Sequence, residues 1–393
     1  DVTAVAQAQG EIAEATAAAG GIQQGVTSDE GSASGSIANE GSLNVTASAN
    51  ADASGGNISN ANADAFAQGI DQSVSASTLA TGLITNTSSS SIDVTANAIA
   101  AGGSSGTANA DADASAVRQN VQTSNGDSTG TISSSGSISA SATASADAGN
   151  DADANADSDG ITQTVGTDGT NANALGTIES GVLSSYAFAN AQAGGGVSDA
   201  GNASANADGI FQRVDANAGA SGATGNITST TSLDVTAVAN VFAETAVANA
   251  NAAGITQDIN GNSGNASGTV TNNGTVTVEA SASANGSTVA NAEALAEGVD
   301  QDVQAQLDAT GLIVNTSSSS IDVSAAASAV GGAASANASA NAVTQSVYSS
   351  SGNASGTVSS SGSISASATA YTSAFANSSG RAVSNGIIQS VGS

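Results

Sequence analysis

The chain has 393 residues, a net charge of −30 and a narrow alphabet from which Pro, Cys, Met, Trp, His and Lys are absent. Ala, Ser, Gly, Asn, Thr and Asp supply its bulk, and 33 Asp and Glu stand against three arginines, Arg118, Arg213 and Arg381. This excludes disulfides, a conventional core of large apolar side chains and the basic patches that nucleic acid or an anionic membrane surface would need. No run of about 18 apolar residues offers a membrane-inserting helix.

The first element, DVTAVA (Asp1 to Ala6), alternates apolar and polar residues with a period of two, as a strand does. It returns at Asp234 to Ala239. Next comes Ile22-x-Gln24-x-Val26, whose three side chains share one face of a strand. The same pattern starts at Ile70, Val117, Ile161, Ile210, Ile255, Val299, Val343 and Ile387, at intervals of 44 to 49 residues. TGLITNTSSSSIDV (Thr81 to Val94) is repeated almost unchanged at Thr310 to Val323, and SSSGSISASATA (Ser133 to Ala144) at Ser359 to Ala370. The chain therefore reads as one continuous repeat array over 1–393, with nine units of 44–49 residues and a five-unit super-repeat of 226–233 residues. It begins in mid-strand and shows no separate caps, which suggests a segment of a longer repetitive chain or a subunit whose ends pair with neighbours.

Midway between glutamine strands lies a second signal, seen as Gly130-Thr-Ile followed by Ile138, Gly268-Thr-Val followed by Val276, and Gly356-Thr-Val followed by Ile364. From Ile132 the inward set runs through Ile138, Ala140, Ala142, Ala144, Ala146 and Ala148, with Ser, Thr and Asp on the other face. Alanine favours helix by propensity. Alternation this long would scatter alanines around a helix, so the segment reads as strand. The parity flips at Asp159-Gly160, which marks a corner. The expected fold is all-β, an elongated parallel β-solenoid of about 22-residue rungs, two per roughly 44-residue repeat. About 18 such rungs would make a rod of roughly 85 Å.

Catalysis is not expected. Without His, Cys or Lys the usual general bases and activated nucleophiles are missing, carboxylates apart, and the serines have no base partner. No cofactor is required. Calcium is the candidate cation, with Asp151, Asp153, Asp157 and Asp159 of the acidic run Asp147 to Gly160 as the candidate ligands. Asn155-x-Asp157-x-Asp159-Gly160 partly matches an EF-hand loop, but Gly166 stands where that loop needs Glu. The competing reading is an ordinary solvated strand face. Asn-x-Ser/Thr sequons such as Asn226, Asn265 and Asn353 occur at about the frequency chance gives.

The most specific signal is a column of nine inward glutamines: Gln24, Gln72, Gln119, Gln163, Gln212, Gln257, Gln301, Gln345 and Gln389. A buried amide is costly unless it is hydrogen-bonded, and in stacked rungs each amide can bond the ones above and below.

The Gly/Ser/Ala/Asn-rich repeats, with strands such as Ile132 to Ala140, resemble the β-solenoid repeats of bacterial surface proteins. Filamentous-haemagglutinin-like adhesins and autotransporter passengers are examples. The Ile-x-Gln-x-Val strand is also similar to curli-type functional amyloid repeats, although those carry glutamine at both strands of a turn and this chain has one per 44 residues. Both resemblances imply an extracellular or cell-surface location and a structural or adhesive role. The expected function is that of an acidic bacterial filament or matrix fibre, a component of biofilm matrix. Its partners would be other copies of itself, head-to-tail or lateral, with surface or polysaccharide contact a further candidate and neither nucleic acid nor membrane insertion expected. The alternative is a calcium-dependent adhesin stalk or ligand-binding surface protein.

Overall fold

The computed structural model describes every residue except 54, 56–58, 195–198, 218, 220 and 221. Strands dominate the described residues and no helix occurs among them. The fourth unit is representative. An entry leg, Ser137–Ala148, is followed by a long leg, Asp151–Thr167, and a return leg, Asn173–Ser180. The next entry leg, Val182–Ala193, then starts the fifth unit.

All strand pairing is parallel and joins equivalent legs of consecutive units. Ile138 lies between Ile92 and Leu183. Ile161 lies between Val117, 44 residues earlier, and Ile210, 49 residues later. One turn of the coil is therefore a whole 44–49-residue unit, which corrects the expected 22-residue rung. The two halves of a unit do not stack on each other; they face each other within one turn. The stack is nine rungs, about 40 Å along the axis at the spacing of neighbouring strands, roughly half the length expected.

Alternation decides what lies inside. In the entry leg Ala140, Ala142, Ala144 and Ala146 point inward, and Ala152, Ala154 and Ala156 of the long leg point back at them, all essentially inaccessible to solvent. Methyl groups fill this slot because the two sheets approach closely, so interior density is reached without large side chains. Where the slot widens, bulkier residues take over: Ile138, Ile161 and Ile178 belong to the same buried cluster. A second, smaller cluster contains Val165, Ala174, Val214 and Ala223, between the far half of the long leg and the return leg.

The long leg thus serves two cores, and it bends to do so. Ser158 points inward and Asp159 outward, then Gly160 and Ile161 are both buried before alternation resumes with Thr162 outside. Here the expected corner is a bend within a continuous strand. A Cβ on Gly160 would lie 2.5 Å from the backbone oxygen of Gly209 and 2.9 Å from Leu183 Cδ1, so the bend depends on glycine's missing side chain. Two adjacent inward residues turn the outer surface of the strand into a shallow trough that runs along the axis.

From the sixth rung onward the entry and long legs fuse into single strands, Ser232–Gly261, Thr275–Ala305, Ser320–Ser349 and Ser363–Gly392. These fused strands join the two rows of legs, so that one fourteen-stranded sheet folds back on itself, while the return legs form a separate eight-stranded sheet.

Candidate functional site

Register places the nine glutamines in one column. In the eight after the first, Nε2 donates to Oε1 of the glutamine one rung earlier, at 2.6–2.8 Å, from Gln72 on Gln24 through to Gln389 on Gln345. The second N–H of Gln163 donates to the return-leg carbonyl of Thr177 at 3.2 Å, and Gln119 does the same to Thr131. Gln163 is fully buried, yet both its protons and its oxygen are used. The ladder therefore ties rung to rung and, within each rung, long leg to return leg.

The glycine of the Gly-x-Ile/Val signal belongs to this arrangement. A Cβ on Gly176 would lie 2.9 Å from Gln163 Oε1 and 2.8 Å from Val214 Cγ2. The amides can cross the narrow second core because the facing position carries no side chain. Sequence reasoning found both the glutamine and the glycine but had no means of pairing them.

A second polar column closes the return leg and was missed at the sequence level. Asn39 Nδ2 donates to Asn86 Oδ1 at 2.9 Å, and Asn272 to Asn315 at the same distance. Asn86 also donates to the carbonyl of Ser137, pinning the start of the next entry leg. The signal was present as the final asparagine of TGLITN and TGLIVN.

The trough on the outer face of the long leg is where the acidic residues gather. Asp113 and Asp159 approach it from the near half, and Arg118, Asn120 and Thr162 from the far half, around a depression of about 510 Å³. Partial burial pushes the Asp113 carboxyl up to about 6, with Asp159 and Asp157 adding repulsion. Asp159 also rises to about 6, through burial first and then the charges of Asp208 and Asp157, while Arg118 opposes the shift. Burial and Asp157 push Asp208 upward as well. Farther along the stack Asp300 reaches about 6, driven by burial and by Glu297, Asp258 and Asp302.

The four candidate calcium ligands do not converge. Asp151, Asp153, Asp157 and Asp159 alternate along the outside of one extended strand, where the partial EF-hand match would need a coiled loop. Asp157 instead accepts a hydrogen bond from Asn206 at 2.6 Å. Among the described residues no group of three or more His, Cys, Asp or Glu is arranged to hold a metal. The only ion pair among the described residues is Arg213 with Asp215, at 2.6 Å.

No family model, curated protein or solved structure matches the chain.

Proposed function

We propose that this chain is a structural segment or subunit of an acidic extracellular filament or matrix fibre, built by stacking equivalent turns and carrying no catalytic centre. The observation that supports this reading best is the directional register: every described rung is parallel to the last, and the amide ladder runs through all nine with one donor–acceptor sense. Such a stack is extended by adding a like rung at either end, with the next backbone edge and the next glutamine as template. The high negative charge fits the reading, since it keeps neighbouring rods soluble and apart until screened. The likeness of the repeats to bacterial surface solenoids supports an extracellular fibre.

Electron microscopy and fibre diffraction of the concentrated protein test this. Long unbranched filaments with a meridional reflection near 4.8 Å are the expected result. Short monomeric rods at every concentration, losing rigidity when calcium is chelated, would favour the stalk reading and overturn the filament.

A further inference from the structure

The trough has features that rung stacking does not need. Ser115 lines it at only 8% exposure. Asn120 lines the same depression and its Oδ1 is buried without a partner. A buried polar atom left unpaired costs stability, so the Asn120 oxygen in the wall of this depression marks a place where a hydrogen-bonding group from outside is expected. A second depression of about 610 Å³ adjoins the first and shares Phe66 and Asp113 with it. Phe66, 42% exposed, stands between them with Asp113 in register on the next rung. Both depressions fall within the size range of small-molecule sites.

Charge narrows the ligand class. Asp64, Asp111, Asp113, Asp157 and Asp159 line the two depressions, and Arg118 is the one cation among them. Crowded, partly buried carboxylates are relieved by a cation, and an exposed aromatic face beside them suits either a sugar ring or an ammonium group. The unpaired amide oxygen of Asn120 needs a donor, which a hydroxyl supplies, and the Ser115 hydroxyl beside it can bond a second. The two depressions cross the same rungs and adjoin along the strand, and their combined length suits an extended chain.

We propose that this trough binds a linear glycan bearing free amino groups. Phe66 packs against a sugar ring, Asp113 and Asp159 pair with ammonium groups, and Ser115 and Asn120 bond sugar hydroxyls. The site is separate from the filament reading and stands or falls without it. Calorimetric titration of the full chain at pH 7 and physiological salt, with glucosamine hexamer, N-acetylglucosamine hexamer and hexalysine as probes, is the test. The glucosamine hexamer should bind, and the acetylated hexamer and hexalysine should each bind at least about tenfold more weakly. Phe66→Ala and Ser115→Ala, both with unchanged circular dichroism, should each weaken the glucosamine hexamer about tenfold or more. No binding of that hexamer, equal binding of hexalysine, or indifference to both substitutions would overturn the proposal.

Discussion

The first five rungs and the last four solve the same packing problem with different corners. In the early rungs a turn separates entry leg from long leg, as at Asp147–Asn150, where one strand ends at Ala148 and the next begins at Asp151. In the late rungs the two legs are one strand of 30 or 31 residues, and only a local shift of register remains, between Ala243 and Thr245 for example. The long leg itself hardly changes: Asn60–Ala76, Thr107–Thr123, Asp151–Thr167 and Ala200–Ala216 are all 17 residues. Unit length therefore varies at the connections between legs while the glutamine-bearing leg is held constant. The corner is where the chain tolerates change, and the ladder is where it does not.

Inserting residues is the sharpest way to break this contrast. One residue added after Thr164 would turn Val165 and Thr167 outward, and unfolding in denaturant should show a loss of more than about 5 kcal/mol or no cooperative transition. Four Gly/Ser residues added between Ala243 and Glu244 should cost less than about 1 kcal/mol, because a longer loop closes at little extra entropic cost. Equal penalties at the two sites would show that corner and leg are not distinct.

The ladder should be equally demanding in both regions. Gln163→Leu in an early rung and Gln301→Leu in a late one each strand an acceptor and a donor on neighbouring amides and free a buried carbonyl. Each should lower stability by about 2–4 kcal/mol in denaturant titration. If either left the midpoint unchanged, the amides would be passengers. Gly176→Ala should follow at about 1–3 kcal/mol, because its methyl enters the space of Gln163 Oε1 and Val214. In the Gln163→Leu background this penalty should change, which a double-mutant cycle can measure.

The smallest effect concerns charge. Asp159 in the early region and Asp300 in the late one have folded-state carboxyls raised to about 6 from 3.8. The folded protein binds these protons more tightly than the unfolded chain, so their contribution to stability is full below about pH 4 and is lost as pH rises through 6. Asp159→Asn and Asp300→Asn should each stabilise the protein at pH 7 by about 1 kcal/mol, a value reduced from the raw shift by solvent screening. Neither should matter at pH 4. A melting temperature that responds the same way at both pH values would refute the assignment.

Much of this was legible in the sequence. Period-two alternation across Ile138 to Ala148 gave strand against alanine's helical propensity, because a flat methyl-lined face has no equivalent on a helix. The parity flip at Gly160 announced the bend. The rung was misjudged because entry leg and long leg are both alanine-alternating, so opposite walls of one turn imitate two successive turns. Nothing local distinguishes facing from stacking; only the register of Ile161 with Val117 and Ile210 does. The trough was hidden for a similar reason. Two adjacent inward residues reveal a corner, but its outward concavity depends on the second core behind Val165. The function of Gly176 was out of reach because its crowding partner lies 13 residues earlier in the chain.

The glutamine ladder has an electrical consequence. Every side-chain amide in the column points its N–H toward the first rung and its carbonyl oxygen toward the last, so the group dipoles add as they do along a helix. Nine amides of about 3.5 D, taken at the peptide value, would give a permanent moment of up to about 30 D if fully aligned. The positive pole lies at the side of Gln24 and the negative pole at the side of Gln389. Transient electric birefringence would detect that moment in the intact rod and its reduction when the amides are replaced by leucine.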